Sequence, residues 1–209
     1  MLPYPFYGTN AIADGLLTIG DIDDFLTVAA EMATSAKLVG GTSTSLEDVG
    51  IELTYRLMNG RAVAEHLPRL QELYEQDFLH LAERVFGVGL IPSPDLVSGA
   101  NINLLEGIGG RYEWHYDSNP YTGLLVLSPS SVRLGGRLLF GQDVDDQVAL
   151  SMMPGDLFFF DARETAHSVE ALATPRIRAT IPMNYFVKGK PLIRPRDLDQ
   201  TLYNGTLSE

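Results

Sequence analysis

Cysteine is absent from the 209 residues. Its absence removes disulfides, thiolate zinc sites, iron–sulfur clusters and cysteine nucleophiles together, and it fits a reducing compartment. Basic residues are scarce: 15 Lys and Arg stand against 27 Asp and Glu, a net charge of −12. Binding to phosphate backbones or anionic lipid needs a basic face, so nucleic acid and membrane are poor partners. No apolar run approaches the roughly 20 residues that span a bilayer. The first basic residue is Lys37, so no positively charged leader is expected. What remains is 45% apolar and 20% charged residues, a globular composition. At about 150 residues per domain, the length predicts one domain. The composition predicts a cytoplasmic protein that handles a small molecule.

The N-terminal residues Met1 to Thr9 hold two prolines and three aromatics and read as an extended arm. Ile22, Phe25, Leu26, Ala29, Met32 and Ala33 then recur at helical spacing. Asp21, Asp23 and Asp24 at the start and Lys37 at the end match a helix dipole, and Gly40-Gly41 is the expected stop. Ile51, Leu53, Tyr55 and Leu57 alternate with polar residues, as in a half-buried strand. Pro68 opens a second helix that Gly87 closes. Beyond it, short apolar runs recur between Gly, Pro, Asn and Asp up to Phe186, the pattern of a sandwich or barrel. The fold class is therefore mainly β with flanking α-helices that cover one sheet. Residues 1–96 form the arm, helices and strand over the core, residues 97–187 the β core, and residues 188–209 a tail. That tail carries Lys190, Arg194 and Arg196 among prolines; the protein is expected to be a monomer or a homodimer.

Histidine is also rare, with four in the chain. His66 and His80 fall at or in helices and read as ordinary helical histidines. His115 and His167 fall on predicted strands. In Arg111-Tyr112-Glu113-Trp114-His115-Tyr116-Asp117, strand alternation puts Arg111, Glu113, His115 and Asp117 on one face and the three aromatics on the other. On an outer surface the charged face would be merely solvated; inside a barrel it would be a ligand site. His115 and Asp117, at i and i+2, can reach one divalent ion from one side of a strand or form a surface His–Asp pair, and His167 is the candidate third ligand. Two histidines and one carboxylate leave open positions on an octahedral ion. In the strand after His167, Arg176, Arg178, Thr180 and Asn184 share a face. A guanidinium beside a hydroxyl suits a carboxylate; the same alternation also describes an amphipathic strand with its polar face in water.

Together these residues resemble the Fe(II)- and 2-oxoglutarate-dependent dioxygenases over roughly Asn101 to Phe186. The family pattern is His-x-Asp, a distal His and an Arg about ten residues on; here it reads His115-x-Asp117, His167 and Arg178. Gly110-Arg111-Tyr112, the stretch Gly135 to Phe140 and the stretch Pro154 to Asp161 also look familial. The resemblance implies a double-stranded β-helix (jelly-roll, cupin-like) core. It implies Fe(II) on His115, Asp117 and His167, and 2-oxoglutarate held by Arg178 and Thr180, with Arg176 as the second candidate. It implies O2 as oxidant, ascorbate as reductant in vitro, and release of succinate and CO2 as a substrate carbon is hydroxylated. Halogenating members lack the carboxylate ligand, and Asp117 fills that position. Arg111 and Glu113, a base and an acid side by side, either suit a zwitterion such as an amino acid or pair with each other at the barrel mouth, and Asn103 is a further candidate for substrate contact. The loop Ser118 to Tyr121 is expected at the rim, and the N-terminal arm and the loop Thr42–Ser45 as lids. The rival readings are a cupin-like metalloenzyme that does not use 2-oxoglutarate and a non-enzymatic ligand-binding domain.

Overall fold

The computed structural model describes residues 6–39, 52–141 and 147–192. The stop at Gly40-Gly41, the loop Thr42–Ser45 and the tail arginines 194 and 196 lie outside the described residues. The described strands are β1 (Phe6–Asn10), β2 (Thr34–Val39), β3 (Glu52–Met58), β4 (Leu90–Pro92), β5 (Ile102–Glu106) and β6 (Tyr112–His115). They continue with β7 (Tyr121–Val126), β8 (Leu138–Gly141), β9 (Gln147–Leu150), β10 (Asp156–Asp161), β11 (His167–Val169) and β12 (Ile177–Val187). An eight-stranded sheet runs β1-β10-β7-β12-β5-β3-β2, with β4 also on β12; a four-stranded sheet runs β6-β11-β8-β9. Every pairing between these strands is antiparallel. Strands from both sides of residue 96 share the larger sheet.

Period-two alternation sorts the larger sheet into two faces. Leu104, Leu125, Leu157, Phe159, Ala179, Ile181 and Met183 point one way and join the core that the helices cover. Phe158, Phe160, Leu124 and Val126 point the other way, toward Leu138 and Phe140 of the smaller sheet. The space between the two sheets is therefore walled by apolar side chains, and the polar residues that enter it stand out.

The helices are α1 (Ile19–Met32), α2 (Gly60–His66), α3 (Pro68–Glu75) and α4 (Asp77–Phe86). Thr18 and Asp21 form a reciprocal cap at the start of α1, whose Ile22, Phe25 and Ala29 are buried. The helix ends at Met32, earlier than the dipole pattern to Lys37 predicts, because Thr34–Val39 pairs with β3 instead. The second expected helix is two, broken where Gln76 leaves helical backbone angles, and Gly87 closes α4 at a positive φ. Helix α2 is unannounced in the sequence because it starts on a glycine; a Cβ on Gly60 would lie 2.0 Å from the Leu96 carbonyl, so only glycine fits there. No helix among the described residues is long and apolar enough to cross a membrane.

Two further expectations change. Residues 6–10 of the N-terminal arm are a fixed edge strand on β10, with Phe6 stacked on Phe140 at 4.9 Å, not a lid. Pro182, a residue whose missing N–H argues for a strand edge or bulge, lies inside the central strand β12 opposite Leu124. Its carbonyl accepts from Asn101 N, so the ring nitrogen faces that same side. A bridge between Ala100 and Met183 continues that side, and Asn184 N donates to the Gly99 carbonyl, so the one ladder bond lost is the one Pro182 cannot donate toward Asn101.

Candidate metal centre and carboxylate clamp

Residue 115 ends β6 and residue 167 begins β11, and the two are direct partners across the antiparallel ladder. Their rings lie 4.3 Å apart between centroids. Asp117 sits just past the end of β6, where its backbone N–H donates to the Ala162 carbonyl at 2.9 Å. Asp117 Oδ1 is 3.7 Å from His115 Nε2 and 3.6 Å from His167 Nε2. The three ligand atoms lie within 4.8 Å of one another, the only such group among the described residues. Those separations are too long for hydrogen bonds and suit atoms that converge on a shared ion.

The second nitrogen of each ring fixes the first. His115 Nδ1 lies 2.7 Å from the Glu113 carbonyl and His167 Nδ1 3.0 Å from the Thr165 carbonyl. A carbonyl only accepts, so each Nδ1 carries the proton and each Nε2 turns a lone pair toward Asp117. The other carboxylate oxygen is held as well: Thr122 Oγ1 donates to Asp117 Oδ2 at 2.5 Å, and Asn119 Nδ2 donates to Thr122 Oγ1 at 2.8 Å. Asn119 also donates to the Tyr121 carbonyl and is buried, so the loop expected at the rim turns a residue inward to brace the carboxylate. Burial alone would raise the Asp117 pKa, but His167, His115 and the Thr122 hydroxyl overcome it and bring it down to about 2. Burial pulls His167 down, while the Asp117 carboxylate more than compensates and leaves it raised. Phe160 stands edge-on to His167 at 4.9 Å and closes that side to water.

The guanidinium of Arg178 is buried in the middle of the larger sheet, 2% exposed. Its Nε donates to the Gly136 carbonyl at 2.8 Å and its Nη1 to Thr180 Oγ1 at 3.3 Å. Its Nη2 is buried with no partner. Burial pulls this guanidinium down to about 10, which leaves it a cation at neutral pH. Gly136 allows the approach, because at φ 72° its absent Cβ would lie 3.1 Å from Arg178 Cδ. The loop carbonyl is itself anchored next door, where Arg137 grips Glu170 with two bonds of 2.9 and 2.7 Å. Arg176 lies before β12 begins and is half-buried; its Nε reaches only the neighbouring Ile177 carbonyl, at 3.5 Å. Of the two candidate arginines, the one that enters the interior is Arg178.

Asn103 faces Thr180 across the β5–β12 ladder and so shares its interior face; its Oδ1 is buried without a partner. Arg111 and Glu113 are half-buried at the start of β6. The alternation expected of them does not hold through the strand. His167 pairs with His115 and Val169 with Tyr112, so one residue of β11, Ser168, lies against two of β6, Glu113 and Trp114, and a bulge lies between the pairs. The bulge brings Tyr112 to the same interior face as His115, against the expectation that it packs on the opposite side. His66 and His80 stay outside the site: His66 stands 3.9 Å from Glu65, and His80 Nδ1 contacts the Gln76 carbonyl in its own helix.

No family model and no curated protein matches the chain. Solved structures do. The non-heme alpha-ketoglutarate-dependent epimerase SnoN from nogalamycin biosynthesis has a TM-score of 0.64 at 16% identity, over 92% of this chain and 87% of SnoN. A 2OG-Fe(II) oxygenase family oxidoreductase from Burkholderia pseudomallei has a TM-score of 0.66 at 12% identity, over 91% and 89%. HygX from Streptomyces hygroscopicus, solved with nickel and 2-oxoglutarate bound, has a TM-score of 0.66 at 11% identity, over 92% and 87%. At these identities the likeness is one of architecture: the chain has the double-stranded β-helix fold of the 2-oxoglutarate- and Fe(II)-dependent oxygenases.

Proposed function

We propose that this protein is an Fe(II)- and 2-oxoglutarate-dependent oxygenase that hydroxylates, or otherwise oxidises, an unactivated carbon of a small molecule. The observation that carries the reading is the pairing of two features inside one barrel. One is a His-Asp-His trio with both Nε2 lone pairs turned inward; the other is a buried arginine with an unpartnered Nη2. The trio fits a first-row divalent ion. The free Nη2 fits the far carboxylate of a dicarboxylic acid that also reaches that ion. A cupin-like metalloenzyme without 2-oxoglutarate has no use for such an arginine.

Fe(II) and 2-oxoglutarate, bound at this site, would supply oxygen activation, with release of succinate and CO2. The chain's own residues supply the geometry. His115, Asp117 and His167 hold one side of the ion, and their orientations are set by the Glu113 and Thr165 carbonyls and the Thr122 hydroxyl before anything binds. Arg178 and Thr180 would hold the far carboxylate of the oxo acid. Phe140, Phe158 and Phe160 keep water from the interior.

The substrate we favour is an amino acid or a natural-product intermediate. Arg111 and Glu113 at the entry to β6 suit a zwitterion, and the free amide oxygen of Asn103 suits a hydroxyl or amine donor. SnoN, solved with Fe3+, alpha ketoglutarate and nogalamycin RO, supports the natural-product class and shows that this fold also serves epimerisation. The test is succinate formation from 2-oxoglutarate with Fe(II), ascorbate and air. Slow formation without substrate is expected, and His115→Ala or Asp117→Ala should eliminate it. Both variants retaining the wild-type succinate yield would overturn the assignment.

A further inference from the structure

We propose that the phenol of Tyr112 is a third recognition group for the far carboxylate of the oxo acid, completing the clamp that Arg178 and Thr180 begin. The inference rests on the 2-oxoglutarate reading above and assigns it a residue from the opposite sheet.

Tyr112 reaches the interior only because of the bulge in β6, which sets it across from Val169. Its ring is held there by packing against Leu105, Val169 and Leu172 and by the edge of Tyr55 at 5.8 Å. The hydroxyl is buried and has no hydrogen-bond partner. Such a group ordinarily finds one, because an unmet buried hydroxyl is destabilising. Arg178 Nη2 is in the same condition. Leu105, which faces Arg178 across the β5–β12 ladder, belongs to the cluster on which Tyr112 packs, and Leu172 of that cluster meets Gly136 together with the Arg178 side chain. The neighbours at this end of the barrel are apolar: Leu57, Leu105, Val169 and Leu172.

One ligand group satisfies both atoms at once. A carboxylate offers about four acceptor positions and no donor. The Arg178 fork takes two, Thr180 Oγ1 lies beside it, and the Tyr112 hydroxyl donates to the oxygen turned toward the smaller sheet. Burial and the nearby Tyr55 keep the phenol protonated far above neutral pH, so it acts as a donor throughout. A neutral ligand end would leave the Arg178 cation unmet. The clamp therefore selects an ionised distal carboxylate.

The experiment titrates the full-length protein, loaded with Mn(II), with 2-oxoglutarate and separately with 2-oxopentanoate, which carries a methyl where 2-oxoglutarate has its far carboxylate. Tyr112→Phe should weaken 2-oxoglutarate about tenfold or more, the loss of one hydrogen bond to a charged group, and should leave 2-oxopentanoate unchanged. In the wild type, 2-oxoglutarate should produce a tyrosine ultraviolet difference spectrum that 2-oxopentanoate does not; this readout stands even if the variant folds poorly. Unchanged 2-oxoglutarate affinity in Tyr112→Phe would mean that the phenol is met by water, and would overturn the inference alone. Equal weakening of both acids would assign Tyr112 a structural role and overturn it too. A wild type that takes up neither acid overturns the 2-oxoglutarate reading itself.

Discussion

Replacing Arg178 by methionine separates the cost of a binding group from its use. The side chain is buried, makes two hydrogen bonds and leaves Nη2, with its two N–H groups, unmet. Methionine keeps most of the aliphatic stem and suits the apolar neighbours at that end of the barrel. It loses the bonds to Gly136 and Thr180 and leaves the Gly136 carbonyl unsatisfied, which costs about 1–3 kcal/mol. It also removes a buried cation with no counter-charge, whose desolvation penalty is on the order of several kcal/mol. The two effects oppose each other, so the folded state should change by no more than about 2 kcal/mol, in either direction. Binding should change far more. Two charge-assisted bonds to a carboxylate, at about 1.5–3 kcal/mol each, amount to a loss of at least about a hundredfold in 2-oxoglutarate affinity. Calorimetric titration of the Mn(II)-loaded protein measures the second quantity and a thermal melt the first. An Arg178→Met protein that unfolds would make the arginine structural. One that binds 2-oxoglutarate like the wild type would remove the clamp.

Two further substitutions test the supports of the site. Thr122→Val keeps the shape of a buried side chain but takes a donor from Asp117 Oδ2 and an acceptor from Asn119. Mn(II) affinity, read by electron paramagnetic resonance, should fall about 10–100-fold. Gly136→Ala forces a side chain into a positive φ, at about 1–2 kcal/mol, and places a Cβ 2.8 Å from Leu172 Cδ2 and 3.1 Å from Arg178 Cδ. It should lower the melting temperature by a few degrees and weaken 2-oxoglutarate while leaving Mn(II) affinity intact.

The residues that are legible in the sequence are those whose positions follow from strand periodicity alone. His115 and Asp117 are two residues apart, and their convergence with His167 needs β6 and β11 to be neighbours, as they are. Arg176 and Arg178 share a face with Thr180, so periodicity does not separate them; burial does, since Arg178 is inside the sheet and Arg176 precedes β12 half-buried, and the ladder to β5 puts Asn103 opposite Thr180. The misreadings have physical causes. A bulge shifts the face of Tyr112, yet it leaves no mark in composition. Ala33, Ala36 and Lys37 favour helix, and the pairing of Thr34–Val39 with β3 overrides that preference. Pro182 is a strand breaker by its chemistry, and here it costs a single ladder bond, because Asn101 N still donates to its carbonyl and Asn184 N to Gly99 beside it. Asn119 looks like a loop polar residue, and only the fold shows that it turns inward to Thr122.

The most direct measurement is a crystal structure of the protein soaked with Mn(II) and 2-oxoglutarate. The account predicts one ion, bonded to His115 Nε2, Asp117 Oδ1 and His167 Nε2, with the keto end of the acid on the same ion and its far carboxylate on Arg178. An ion that ignores any of these three side chains, or an acid whose far carboxylate lies away from Arg178, would contradict it.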